Sequence, residues 1–162
     1  MLAPALKRLA VRAACKDDLD AALVLLDWEK TKNPWIVRIP EIFRAAAREP
    51  DGEYRACVAH RDGELVGLGT YGLVAGTVRT GTIYGILVAP RSRRAGIGSR
   101  ILYHAADELA SARARMIFAE VPGDPYLVRY RALLISYGFM EEARIDDFYR
   151  DGVPQIISRV NL

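Results

Sequence analysis

The sequence predicts an α/β chain with a mixed sheet, its elements in the order β-α-α-β-β-β-α-β-α-β-β, which is about seven strands and about four helices. Three observations carry that expectation. Apolar residues recur at helical spacing in four stretches and form short, nearly unbroken runs between them. Asp-Gly stands between apolar runs at Asp62-Gly63 and again at Asp151-Gly152, a signal for tight antiparallel hairpins. The chain has 162 residues, 51% hydrophobic and 27% charged, without repeat, low-complexity tract or linker. Residues 1–162 therefore read as a single domain with a sizeable core.

The elements follow in order. Residues 6–12 suggest a first strand, and Asp17 or Asp18 then caps a helix in which Leu19, Ala22, Leu23 and Leu26 fall at i, i+3, i+4 and i+7. "KNP" at 32–34 is a turn, and Pro40-Glu41 opens a short helix with Ile42, Phe43 and Ala46 on one side. The period then changes: "YRACVAH" (54–60) and "ELVGLGTYGLVAG" (64–76) flank Asp62-Gly63 as a hairpin. After a second turn near Thr80-Gly81, "TIYGILVA" (82–89) is almost wholly apolar and reads as a central strand ended by Pro90. A helix from about Gly98 to Ala112 carries Ile101, Leu102, Ala105, Leu109 and Ala112 as one stripe. "MIFAEV" (116–121) is a buried-type strand, and a helix from about Pro125 to Ser136 stops at Gly138. "FMEEARIDDFYR" (139–150) and "PQIISRV" (154–160) close the chain as a hairpin.

Charge and composition exclude several functions. The net charge is +3, carried by 19 Arg and 4 Lys, without the basic tail or stripe of a dedicated nucleic-acid binder. The arginine-rich stretch 91–100 also lacks the interleaved aromatics on which bases stack. Cys15 and Cys57 are isolated, His60 and His104 stand far from metal-ligand spacing, and no run is long enough to span a bilayer. The expectation is a cytoplasmic protein with no metal, no nucleic acid and no membrane partner.

One stretch is chemically distinctive. "RSRRAGIGSRIL" (91–102) joins the central strand to the N-terminus of an amphipathic helix, where unpaired N–H groups and the helix dipole favour an anion. Gly96 and Gly98 let the main chain approach a phosphate without a Cβ in the way. The third glycine of the GxGxxG dinucleotide fingerprint is missing, since Ile101 stands there, and no GKS or GKT follows. A glycine-eased turn with solvated arginines remains the alternative.

"LVAPRSRRAGIGSRIL" (87–102) resembles the [Q/R]-x-x-G-x-[G/A] signature of the GNAT superfamily of acyl-CoA-dependent N-acyltransferases, matched by Arg93, Gly96 and Gly98. The element order is similar, "ALLISYGF" (132–139) resembles the superfamily's "ALYxxxGF" helix end, "AEV" (119–121) resembles the "LEV" of ribosomal-protein alanine acetyltransferases, and "IDDFYRDG" (145–152) resembles a final-hairpin segment of bacterial members. The nearest motifs are those of bacterial protein N-terminal and small-amine acetyltransferases. The resemblance implies a GNAT-like fold with a central mixed, mostly antiparallel sheet.

It also implies acetyl-CoA as co-substrate. The backbone amides of Arg93, Arg94, Ala95, Gly96, Ile97, Gly98 and Ser99 would cradle its pyrophosphate, supplemented by the Arg93, Arg94 or Arg100 side chains. Leu87 and Val88 would pair main chain with the pantetheine amides, and the N–H near Val88 would polarise the thioester carbonyl. Glu120, matching the glutamate of "LEV", is the expected base, directly or through water; a strand-end carboxylate paired with an arginine is the alternative. Residues 82–89 hold no carboxylate, so no base comes from that strand.

The acid departs from the family pattern. Leu134 stands where the tyrosine of "ALYxxxGF" is usual, and Leu127 where an asparagine is often found. Tyr130, one turn earlier on the same helix face, is the expected relocated donor, with Tyr126, Tyr137 and Tyr149 as further candidates. The acceptor would be a primary amine, on a small molecule or a peptide N-terminus, bound between "DWEKTKNPWIVRIPEIF" (27–43) and the last hairpin. Trp28, Trp35, Glu29, Glu41, Asp146, Asp147 and Asp151 are its candidate walls. A coenzyme-A-binding regulator without catalysis is the rival reading, and a homodimer is left open.

Overall fold

A computed structural model describes residues 8–162. In chain order these form β1 (Leu9–Ala13), α1 (Leu19–Lys30), α2 (Ile39–Arg48), β2 (Tyr54–Arg61), β3 (Glu64–Leu73), β4 (Thr80–Val88), α3 (Ile97–Ser111), β5 (Met116–Pro122), α4 (Val128–Tyr137), β6 (Met140–Arg150) and β7 (Val153–Asn161). The sheet runs β1-β2-β3-β4-β5-β7-β6. Neighbouring strands are antiparallel except β4 and β5, which are parallel. This is the mixed, mostly antiparallel GNAT-like sheet with four helices, and β4 lies at its centre as its apolar sequence predicts.

Local differences from the sequence reading have physical causes. The first two residues of the strand expected at 6–12 lie outside the described residues. Asp18 stands at the N-cap position of α1, but its side chain makes no cap bond to that helix. It closes a 3₁₀ turn at Lys16–Asp18, where its carboxylate accepts the Cys15 N–H at 2.8 Å and both guanidinium nitrogens of Arg12 at 2.8 Å. The turn after β3 is not made at Thr80-Gly81. It occupies 74–79, with Gly76 (φ 77) and Arg79 (φ 58) left-handed and Val74 N–H bonded to Thr80 O at 2.8 Å. The helix expected from Pro125 begins as a 3₁₀ turn, Pro125–Leu127, before α4. It ends at Gly138 (φ 119), where Phe139 N–H reaches back to Leu134 O at 3.1 Å.

Two cores sandwich the sheet. On one face α3 buries Ile97, Ile101, Leu102, Ala105 and Leu109 against Cys57 and Ala59 of β2, Ile83 of β4 and Ile117 of β5. On the other, α1 and α2 bury Leu26, Ile39, Phe43 and Ala46 against Ala56 and Val58 of β2 and Leu87 of β4. Each large side chain so buried contributes roughly 1.5–3 kcal/mol. Gly69 of β3 lets α3 close on the sheet, since a Cβ there would meet Ile101 Cγ2 at 2.6 Å.

One irregularity shapes the centre. Thr70 of β3 faces Gly85 while Tyr71 faces Ile83, so Tyr84 is an extra residue in β4. This bulge reverses the alternation: Ile83 packs under α3, whereas Leu87 packs under α1 and α2. It also swaps which peptide groups face each neighbour. Ala89 N–H bonds to Val66 O at 2.8 Å and Val88 sits opposite Gly67, so Val88 and Ile86 turn N–H and C=O away from β3. On that side β4 meets β5 only from Thr80–Met116 to Thr82–Phe118. Beyond these pairs the two strands part.

Candidate active site

The gap between the parted strands is a cleft of about 540 Å³. Its floor is the free edge of β4. Leu87, expected to offer its main chain, faces Leu68 of β3 instead, and Ile86 and Val88 hold the polar groups on the open edge. Leu87 is nevertheless among the residues that line the cleft.

At one end stands the β4–α3 loop. Gly96 (φ 74) and Arg94 (φ 62) are left-handed, a backbone that turns successive amides toward one side. No atom lies within 4 Å of where a Gly96 Cβ would sit, so glycine is required there by conformation and not by crowding. The first bond of α3 is Arg100 N–H to Gly96 O at 3.1 Å, which leaves the amides of Ile97, Gly98 and Ser99 without a carbonyl one turn earlier. Of the seven loop residues expected to touch a ligand, all but Ala95 line the cleft. Arg94 is exposed beside it, Arg129 of α4 faces it from the opposite wall, and Arg100 does not line it. This cradle fits a pyrophosphate: it offers glycine-turned amides, a helix N-terminus and cationic side chains to a dianion.

The Arg93 side chain is directed elsewhere. Its Nε donates to Val88 O at 2.9 Å and a terminal nitrogen donates to Glu29 Oε2 at 2.8 Å. Glu29 lies on the buried stripe of α1, one turn beyond Leu25 and Leu26, and is 4% exposed. Its other oxygen accepts the Tyr126 hydroxyl at 3.0 Å.

At the other end the walls come from α2, β5 and the segment before α2. Glu120 is exposed in the cleft lining, and Gln155 Nε2 approaches it at 3.4 Å. Trp35 packs edge-on against Tyr149 at 5.1 Å, with the Arg150 guanidinium 5.7 Å from its ring centre. Tyr84 and Ile39 complete this aromatic, apolar chamber.

The candidate acids separate clearly. The Tyr130 ring lines the cleft and is partly exposed, while its hydroxyl is shielded from solvent and has no hydrogen-bond partner among the described residues. Burial pushes its pKa above the ordinary tyrosine value, so its proton is held and unengaged. Burial also raises Tyr126, with the bond to Glu29 adding to it, and its proton is engaged there. Tyr137 packs against Tyr103 and Phe139 and does not line the cleft. Leu134 is 2% exposed within the core. Among the candidate walls Trp28, Glu41, Asp146, Asp147 and Asp151 lie off the lining, and Asp147 instead accepts Gly152 N–H at 2.7 Å within its own hairpin.

Sequence reasoning missed the Tyr84 bulge, the Arg93–Glu29–Tyr126 cluster, Gln155 and Arg129. Glu29 had a readable signal, since it continues the apolar stripe Ala22, Leu25, Leu26 of α1. The others come together only through tertiary contacts. No group of His, Cys, Asp and Glu among the described residues is arranged to hold a metal ion. No helix among them is long and apolar enough to cross a membrane.

A sheet split at its centre beside an amide-lined loop is the architecture of an acyltransferase that draws a thioester cofactor into its core. The profile of the acetyltransferase (GNAT) family matches residues 21–127, and the chain belongs to that family. No curated protein matches. Among solved structures, a GNAT-family protein from Desulfovibrio desulfuricans superposes with a TM-score of 0.85 at 24% identity, covering 95% of this chain and 99% of that one. The ribosomal-protein-S18-alanine N-acetyltransferase of Escherichia coli gives 0.72 at 21% identity, with 95% and 94% covered. A Salmonella typhimurium protein solved with its cofactor acetyl-CoA gives 0.79 at 17% identity, with 95% and 94% covered.

Proposed function

We propose that this single-domain cytoplasmic protein is an acetyl-CoA-dependent N-acetyltransferase. It moves an acetyl group to a primary amine, on a small molecule or a peptide N-terminus, by direct attack in a ternary complex. The observation that carries the reading is the continuity of one cleft from the Arg93–Ser99 loop, past the open edge of β4, to Glu120. The motifs of 83–101 and 119–121, which resemble those of protein N-terminal and small-amine acetyltransferases, support this choice of acceptor.

Acetyl-CoA would supply the activated acetyl thioester. The amides of the loop, chiefly Gly96 to Ser99, would hold the pyrophosphate, with Arg94 and Arg129 adding charge-assisted bonds. Val88 N–H, which faces the cleft, would stand as donor to the carbonyl oxygen. Glu120 would take the proton of the incoming ammonium, directly or through water, because attack requires the neutral amine. Tyr130 would return a proton to the departing sulfur, since its hydroxyl has no other partner among the described residues. Positioning of both reactants in the narrow cleft supplies much of the remaining acceleration.

Titration calorimetry with acetyl-CoA, followed by thiol-release assays over a panel of amines, tests the reading. Binding with turnover of at least one amine is expected, and absence of coenzyme binding would overturn it. One observation favours a second reading: Leu134 fills the core where the family's tyrosine is usual. Binding without turnover of any amine would identify a coenzyme-A-binding regulatory protein.

A further inference from the structure

Past Thr82 and Phe118, β4 and β5 share no backbone ladder, so sheet hydrogen bonding does not set how far apart their outer halves stand. A side-chain bridge spans the gap. Arg93 reaches in from the β4 side, Tyr126 from just beyond β5, and Glu29 of α1 receives both, at 2.8 and 3.0 Å. We propose that Glu29 is a positioning residue of the coenzyme slot, clasping Arg93 to Tyr126 so that the width between β4 and β5 is fixed for the pantetheine arm. The inference rests on the acetyl-CoA reading above.

The clasp is anchored at each end. Arg93 Nε is bonded to Val88 O at 2.9 Å, so the pull acts on strand β4 itself. Its guanidinium also lies 6.0 Å from the Trp28 ring centre, a cation–π contact that limits its swing. On the other side Tyr126 N–H is tied to Asp124 Oδ1 at 2.8 Å, and Asp124 in turn pairs with Arg150 at 3.1 Å. Glu29 itself is a poor choice for packing alone. A leucine would complete the α1 stripe without the desolvation cost of a carboxylate, and a buried ion pair is often neutral or unfavourable against an apolar replacement. The two bonds and the placement of Glu29 in the cleft lining point to geometry as its role.

The test separates the arm from the phosphates. Calorimetry is run on the full chain with coenzyme A and with adenosine 3′,5′-bisphosphate, which carries phosphates but no pantetheine. Glu29→Gln keeps the shape and loses the charge-assisted bond. It is expected to raise the Kd for coenzyme A about tenfold and to leave the bisphosphate Kd unchanged. An unchanged or tighter Kd for coenzyme A, or equal weakening of both ligands, overturns the clasp. Tyr126→Phe removes the other arm and is expected to weaken coenzyme A about threefold with the same selectivity, whether or not Glu29→Gln folds. Loss of all coenzyme binding by the unaltered protein would instead sink the acetyl-CoA reading. Normal binding by the unaltered protein and by both variants sinks the clasp alone.

Discussion

The two ends of the cleft are built on opposite plans. The end proposed for the phosphates is one contiguous loop that offers main-chain amides turned by two left-handed residues, Arg94 and Gly96. The end proposed for the acceptor is lined by Trp35, Tyr84 and Glu120, with Tyr149 against Trp35 and Gln155 beside Glu120, so that five separate segments contribute. A contiguous, backbone-based site is specified by local conformation and tolerates change in side chains. A dispersed one depends on every element that carries a contributor. The two ends should therefore fail differently under mutation.

The largest contrast is expected from Glu120→Gln. Loss of the base should lower kcat/KM about a hundredfold or more, most at low pH, while coenzyme affinity is unchanged. The sign follows from the amine: as pH falls the neutral form becomes scarcer and the base matters more. A pH-independent loss would remove Glu120 as base. At the other end, Gly96→Val forces a β-branched residue to φ 74 and should weaken coenzyme A about a hundredfold by calorimetry. Because nothing packs within 4 Å of that position, the circular dichroism spectrum should be retained. Unchanged affinity would break the loop assignment.

Tyr130→Phe should lower kcat about tenfold at constant coenzyme Kd. The melting temperature should hold or rise, since the substitution deletes a shielded hydroxyl with no partner among the described residues. An unchanged kcat would exclude Tyr130 as the donor. The smallest functional effect is expected from Asp18→Asn, a control for Glu29 because both carboxylates are 4% exposed and arginine-paired. Burial pushes the Asp18 carboxyl up, but bonds from Arg12 and the Cys15 amide outweigh it and the net shift is downward. Its stabilisation is therefore present above the unfolded value near 3.9 and is lost as pH falls through the lower folded value. Asp18→Asn should cost about 1–3 kcal/mol at neutral pH, flatten the acid limb of stability and leave coenzyme affinity unchanged. Weakened coenzyme binding would show that any buried carboxylate on this face matters equally.

The same contrast explains what could be read from the sequence. Element order, the central strand, α3 and the glycine loop follow from period, turn residues and local spacing, which are properties of neighbouring residues. Gly96 was readable because a strand–glycine–helix junction has few uses. The opposite end was readable only as a set of candidates: Glu120 and Trp35 line the cleft, but Asp146, Asp147, Asp151 and Glu41 do not. Which hairpin carboxylates face inward depends on β6, an edge strand paired through irregular register, and that pairing leaves no periodic trace. Arg93 was legible as a charge but not in its direction, because its partner Glu29 is 64 residues away.

The Tyr84 bulge has a consequence for how this slot is acquired or lost. Side-chain facing and hydrogen-bond facing both alternate with a period of two, so the extra residue is what lets Ile83 and Leu87, four positions apart, face opposite sides of the sheet. Removing Tyr84 would leave Ile83 opposite Tyr71 and Gly85 opposite Thr70 in a regular ladder, with Ile86 and Val88 still turned from β3, and would take away the bend and added twist of the bulge. Opening of the sheet at its centre then rests on that local bend, which begins where the pairing with β5 ends, and deletion of the one extra residue is the change in β4 expected to draw the two strands together.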